Sequence, residues 1–232
     1  MTRVAVIQSN YVPWKGYFDV IHDVELFIFH DDLQYTKNDW RNRNKIKSAA
    51  GPTWLTIPVG TSESRLICEV EIKDPTWQKK HWNLIKTHYA KAPHLATYAD
   101  FLKDIFETRR WDNLSVLNQH LIRTIAKDHL GITTRFADSR EYAPEGAKQE
   151  RLLDLLKKAG ATSYLSGPAA KDYIEADPFR DAGIELQWKD YSGYPEYPQV
   201  HPPFEHGVSI LDLLLNVGPD APRYIWGARQ PI

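Results

Sequence analysis

The chain has one cysteine, Cys68, among 232 residues. An internal disulfide and a cysteine-based zinc site are therefore excluded. It shows no charged-then-apolar leader and no run of about 18 apolar residues, so neither export nor a membrane span is expected and a cytoplasmic enzyme or binding protein is the natural class. It also lacks a charge excess. With 29 basic and 30 acidic residues the formal net charge is −1, which argues against bulk attraction to nucleic acid or anionic membrane, so any anion site has to be local. No internal repeat or low-complexity segment is present. What the chain does carry is rings and prolines: eight Trp, twelve Tyr and fifteen Pro imply stiff loops and ring-lined clefts, and 42% hydrophobic residues suffice to bury a core without a metal.

The chemistry concentrates between Gln8 and Lys47. Val4 to Ile7 is a continuous apolar run, as in a strand covered on both faces, and Gln8-Ser9-Asn10 ends it with turn-forming side chains. In Tyr11-Val12-Pro13-Trp14-Lys15-Gly16-Tyr17 the proline and glycine stiffen a loop that presents Tyr11, Trp14 and Tyr17 as a stacking wall. A short helix over 17–23 precedes a second buried strand, 25–32, with Asp31 and Asp32 at its carboxyl end. In open parallel sheets ligands bind outside the carboxyl ends of the strands, so Gln8, Tyr11 and the acids are expected to share one crevice. Adjacent side chains on a strand point opposite ways; one aspartate faces the ligand and the other ties down a loop. In 40–47, Arg41, Arg43, Lys45 and Lys47 alternate along roughly 20 Å of extended chain. Such a row suits a diphosphate or a nucleic-acid backbone, or else a solvated edge strand.

Further along, 54–59 pairs with the basic segment as a hairpin and 66–72 reads as one more strand. Helices are expected over 77–89, from Pro93 through the stripe ending at Phe106, and from Leu114 to Leu130, capped by Asn113. His81 and His88 share a face about 10 Å apart along the axis, too far for one metal. They read as core-edge histidines, with His81 the candidate base. After this the pattern alternates: strand 132–137, helix 147–159, strand 162–165, helix 168–176, strand 184–188, then a Tyr/Pro-rich loop over 191–204 and an apolar helix over 208–217. Alternation of this kind implies right-handed crossovers and a parallel sheet. The expectation is one α/β domain over 1–232, a Rossmann-like mainly parallel sheet flanked by helices, with a β-hairpin and helical segment inserted at about 40–131. The Ser166-Gly167-Pro168 turn is a second candidate anion site, assisted by Lys171, at the opposite wall of the crevice.

These residues resemble the WbqC-like family, found in bacterial gene clusters for O-antigen and other surface polysaccharides. The likeness is carried by Ile7-Gln8 with Tyr11, Pro13-Trp14 and Gly16-Tyr17-Phe18; by Asp31-Asp32 with Gln34-Tyr35; by Trp40, Asn42-Arg43-Asn44 and Ile46-Lys47; and by Trp54-Leu55-Thr56 with Pro58-Val59. Weaker parts are His81 to Tyr89, Tyr164 to Gly167 with Lys171 and Tyr173, and Ser209 to Asn216. Ser9 departs from a common proline. The resemblance implies work on a nucleotide-linked sugar, often one whose amino group is acylated or aminoacylated, in O-antigen or lipopolysaccharide biosynthesis. It implies no particular cofactor and no oligomeric state. On this reading Asp31, Asp32 and His81 are catalytic, and Gln8, Tyr11, Trp14, Tyr17, Tyr35, Arg41, Arg43, Lys45, Ser166 and Lys171 bind substrate. The alternatives are a non-catalytic sugar-nucleotide binding subunit and an enzyme taking its aminoacyl donor from the acceptor end of a charged tRNA. Similarity to HUP-type nucleotidylyltransferases is weaker, because Trp14 and Tyr17 stand where their two phosphate-contacting histidines would be.

Overall fold

Two N-terminal runs are apolar at every position because the strands they form are covered on both faces. In the computed structural model, which describes residues 2–227 and Arg229, these are β1 (Arg3–Ile7) and β2 (Leu26–Phe29), joined by α1 (Lys15–His22). The antiparallel hairpin β3 (Arg43–Ser48) and β4 (Gly51–Thr56) follows, and then α2 (Thr76–His88), α3 (Ala99–Lys103) and α4 (Leu114–Thr124). Alternation resumes with β5 (Arg135–Asp138), α5 (Lys148–Lys158), β6 (Ser163–Ser166), α6 (Asp177–Asp181), β7 (Glu185–Trp188) and α7 (Ile210–Val217). The main sheet has the order β5-β2-β1-β6-β7, every pairing parallel. The fold is thus α/β and Rossmann-like, and the hairpin forms a separate sheet.

The strand order sets the position of the site. The chain steps outward from β1 to β2 to β5, then returns to lay β6 against the other side of β1. Direction reverses between β1 and β6, and a crevice opens beyond the carboxyl ends of the two strands. Period-two alternation divides the core. Ala5, Phe27 and Phe29 join the residues of α1, α2, α4 and α7, while Val4, Val6, Leu26 and Ile28 pack against Leu155, Leu156 and Phe179 of α5 and α6.

Three elements differ from expectation. Residues 66–72 form a 3-10 turn, Ile67–Glu69, flanked by isolated bridges rather than a strand, because the buried positions Ile67 and Val70 are spaced by three. The helix expected from Pro93 starts at Ala99 and ends in a π turn, Asp104–Thr108. The helix expected over 168–176 is a 3-10 turn ending at Asp172, and a separate short helix, α6, follows with Pro178 in its first turn.

The loop after β1 is held under strain. Val12, a β-branched residue, has φ +36°, a left-handed conformation costing about 1–3 kcal/mol. It persists because Asn44 donates its amide to the carbonyls of both Tyr11 (3.1 Å) and Val12 (3.0 Å), and the Tyr11 N–H reaches the Trp40 carbonyl (2.9 Å). The asparagines of the basic segment are therefore buried braces; Asn42 likewise donates to the Ile57 carbonyl. The ring of Trp14 folds back over Gly16, where a Cβ would stand 2.3 Å from its Cζ2. Asn44→Ala should lower stability by about 2–4 kcal/mol in denaturant titration, since it leaves two buried carbonyls without that donor. A change below about 0.5 kcal/mol would show that the loop is held by other contacts.

Candidate functional site

Asp31 and Asp32 leave the end of β2 in opposite directions. Asp31 is fully buried and accepts the Ser9 N–H (2.7 Å), the Ser115 hydroxyl and the Gln119 amide (3.1 Å), tying the end of β1 to α4. It is the brace. Asp32 turns the other way and accepts from the Ser139 hydroxyl and the Arg151 guanidinium. Burial raises its carboxyl, but those two hydrogen bonds and the charge of Arg151 outweigh burial and hold it below the usual range.

Beside Asp32 a cavity of about 800 Å³ opens at the carboxyl edge of the sheet, on the face covered by α5 and α6. Gln8 and His30 come to it from the ends of β1 and β2, Leu152 and Leu153 from the first turns of α5, and Tyr164 and Tyr173 from β6 and the chain beyond it. Its lining is mostly apolar. Gln149 joins two of its walls, accepting the Glu175 N–H and donating to the Glu175 carbonyl, each at 2.9 Å. At the start of α5 no side chain caps the helix; the Glu150 N–H turns back to the Ala147 carbonyl (3.1 Å), which leaves the N–H groups of Lys148 and Gln149 for a ligand, and Lys148 at that end lines the cavity.

His30 is the residue sequence reasoning missed. It is 7% exposed, its Nε2 has no hydrogen-bond partner, and that nitrogen stands 3.7 Å from Asp32 Oδ1. Burial lowers its pKa against the opposing pull of Asp32, so the ring is neutral at pH 7. A histidine lying between a strand and two acids was the available signal.

The other expected residues divide. Gln8 lines the cavity, and its Oε1 accepts from Arg41 (2.9 Å), which also reaches Asn10 (3.3 Å) and Asp39 (3.4 Å). Tyr11 is a core residue, fully buried, with its hydroxyl on His81 Nδ1 at 2.9 Å and its ring against Trp77. His81 donates through Nε2 to the Thr56 carbonyl (3.2 Å), and burial lowers its pKa to about 4. It is a satisfied core histidine away from the cavity. Trp14 packs on Tyr191 and Tyr194, Tyr17 is buried with its hydroxyl on the Gln8 carbonyl, and Tyr35 is buried beneath Arg65. The three rings therefore close the core rather than wall a cleft. Arg43 and Lys45 lie over Trp54 on the outer face of the hairpin, and Lys47 reaches the Pro203 carbonyl. The cationic row does not line the cavity, because its partners are a ring on the next strand and a distant loop. Ser166 is buried at the end of β6, at the expected edge, but its turn opens a 3-10 segment too short for a helix-start anion site; Lys171 lies over Trp188.

A smaller cavity, about 380 Å³, lies beneath Trp226 next to Asp19. Asp19, His22 and Asp23 are close enough to hold a metal, but Lys189 pairs with both aspartates (2.7 and 2.6 Å), as does Arg229. Those charges are already neutralised.

An α/β fold with a cavity of about 800 Å³ at its switch point defines the class. The model of the WbqC-like protein family matches residues 8–224, and the chain belongs to that family. It is 46% identical, over 99% of its length and 100% of the relative's, to a Mycobacterium tuberculosis (strain ATCC 25618 / H37Rv) protein named "Uncharacterized protein Rv1507c". No solved structure matches it. Among the described residues no helix is long and apolar enough to cross a membrane.

His81 predicts a pH dependence. Its folded pKa lies near 4 and its unfolded value near 6.5, so the unfolded chain binds more protons between them and stability falls as pH drops through that window, by at most about 3 kcal/mol. His81→Gln should show a shallower decline between pH 6.5 and 4 in thermal melts. An unchanged slope would place the proton uptake elsewhere.

Proposed function

We propose that the protein is a cytoplasmic transferase that moves an acyl or aminoacyl group onto the amino group of a nucleotide-linked sugar used in surface-polysaccharide synthesis. The observation that carries this reading is the neutral, unpartnered His30 in a cavity at the switch point, with Asp32 beside it. A volume of about 800 Å³ falls within the range of small-molecule sites. As the sugar nitrogen bonds to the acyl carbon, His30 accepts the amine proton. The bond from the acyl carbon to the donor's leaving atom then breaks, and that atom takes the proton from His30. Asp32, fixed by Arg151 and Ser139, steadies the imidazolium between the two transfers. Apolar walls from Leu152, Leu153 and Tyr164 suit an acyl group or a base, and the uncapped start of α5 with Lys148 suits a phosphate.

In a thermal-shift screen of dTDP-, UDP- and GDP-sugars with CoA esters and ATP, at least one nucleotide sugar should raise Tm, since ligand at 100 times its Kd stabilises by about 2.7 kcal/mol. With that sugar and its donor, His30→Gln should lower kcat by about 10²–10⁴ and leave the thermal shift in place. A shift from no nucleotide sugar would overturn the substrate class. Full activity in His30→Gln would overturn the mechanism.

A further inference from the structure

The hairpin β3–β4 buries one face against the core through Ile46 and Leu55; on the other face Lys47 is buried, Arg43 and Lys45 are partly exposed and Trp54 is open to solvent. On that outer face Trp40 and Trp54 are 43% and 40% exposed, 5.7 Å apart between centroids and tilted by 34°. The Arg43 guanidinium stands 4.3 Å from the Trp54 ring and the Lys45 ammonium 4.9 Å, Lys45 lying directly across the ladder from Trp54. Nearby Lys37 and Arg41 have carboxylate partners, Glu63 and Asp39, whereas Arg43 and Lys45 form no ion pair among the described residues. Two exposed indoles thus sit beside two cations with no counter-charge, on a chain whose net charge is −1.

We propose that this face binds a single-stranded nucleic-acid segment of about two or three nucleotides, one or two bases stacking on the indoles and the adjoining phosphates taking Arg43 and Lys45. Three features favour this occupant. Indole faces accept any base, so the surface needs no hydrogen-bonding code. Uncompensated cations fit a phosphate chain and add nothing for a neutral sugar ring. The small patch on a near-neutral chain fits a short end rather than a duplex. The site is independent of the transferase reading, because none of these four residues lines the cavity.

The test is fluorescence anisotropy with labelled RNA and DNA hexamers at 50 mM salt, with circular-dichroism melts confirming that each variant folds. Saturable binding is expected, weakened about tenfold or more in Trp54→Ala. In the Arg43→Ala/Lys45→Ala pair the slope of log K against log salt should fall by about 1.4, the effect of two phosphate contacts. Tighter binding of RNA than of DNA would identify the ribose 2′-hydroxyl as part of the ligand, and equal binding the base and phosphate alone. The proposal is overturned by absence of binding, by undiminished binding in folded Trp54→Ala, or by equal competition from polyphosphate or a neutral oligosaccharide.

Discussion

The carboxylate of Asp31 is the constraint on which the rest of the site depends. A buried charge persists only when its lone pairs are satisfied. Here the donors come from two distant parts of the chain: the Ser9 N–H at the end of β1, and Ser115 and Gln119 on α4. The inserted helices are thereby fastened to the carboxyl edge of the sheet. Gln119 extends the link by also donating to Asp138 at the end of β5, at 2.9 Å. With Asp31 held on that side, strand geometry turns Asp32 to the other face, beside His30 and the cavity. One of two adjacent acids ties the insertion to the sheet, and the other pairs with Ser139 and Arg151 on the cavity side.

The same division of labour runs through the rings. The loop after β1 spends its aromatic residues on closure: Tyr11 against Trp77 and His81, Trp14 against Tyr191 and Tyr194. Lys15, nearly buried among Tyr194, Tyr197 and Phe204, has a pKa lowered to about 8 by burial, and its ammonium donates to the Pro195 carbonyl. This stitching presses the Tyr/Pro-rich segment onto α1 and leaves the opposite face of the sheet to the cavity.

The sheet was legible because buried parallel strands are uniformly apolar and their connections right-handed, so the runs at Val4, Leu26 and Ser163 could be placed from sequence; the crevice was expected beyond the ends of β1 and β2, and only the fold shows β6 on the other side of β1. Gln8 and the pair of acids stood out at strand ends, with no sign of which acid turns towards the cavity. His30 did not, because next to Phe27, Ile28 and Phe29 it reads as one more strand residue, and only the fold reveals an unpartnered nitrogen there. The apolar wall was hidden for a different reason: Leu152 and Leu153 sit in an amphipathic helix that looks like any other. Tyr11 was misread, and the core-edge reading of His81 could not name its partner, because the two meet across 70 residues and such a pair leaves no trace in local spacing. The basic row was read along one strand, whereas the charge of Arg43 and Lys45 is directed by Trp54 on the other.

The central claim is that the working site is the cavity between α5 and the chain after β6, with His30 facing the ligand. A crystal structure of the protein with a stabilising nucleotide sugar tests it most directly. The account predicts ligand density in that cavity, with a polar atom within hydrogen-bond distance of the His30 ring and Asp31 unmoved on Ser9 and Ser115. A sugar nucleotide bound elsewhere, with His30 untouched, would contradict it.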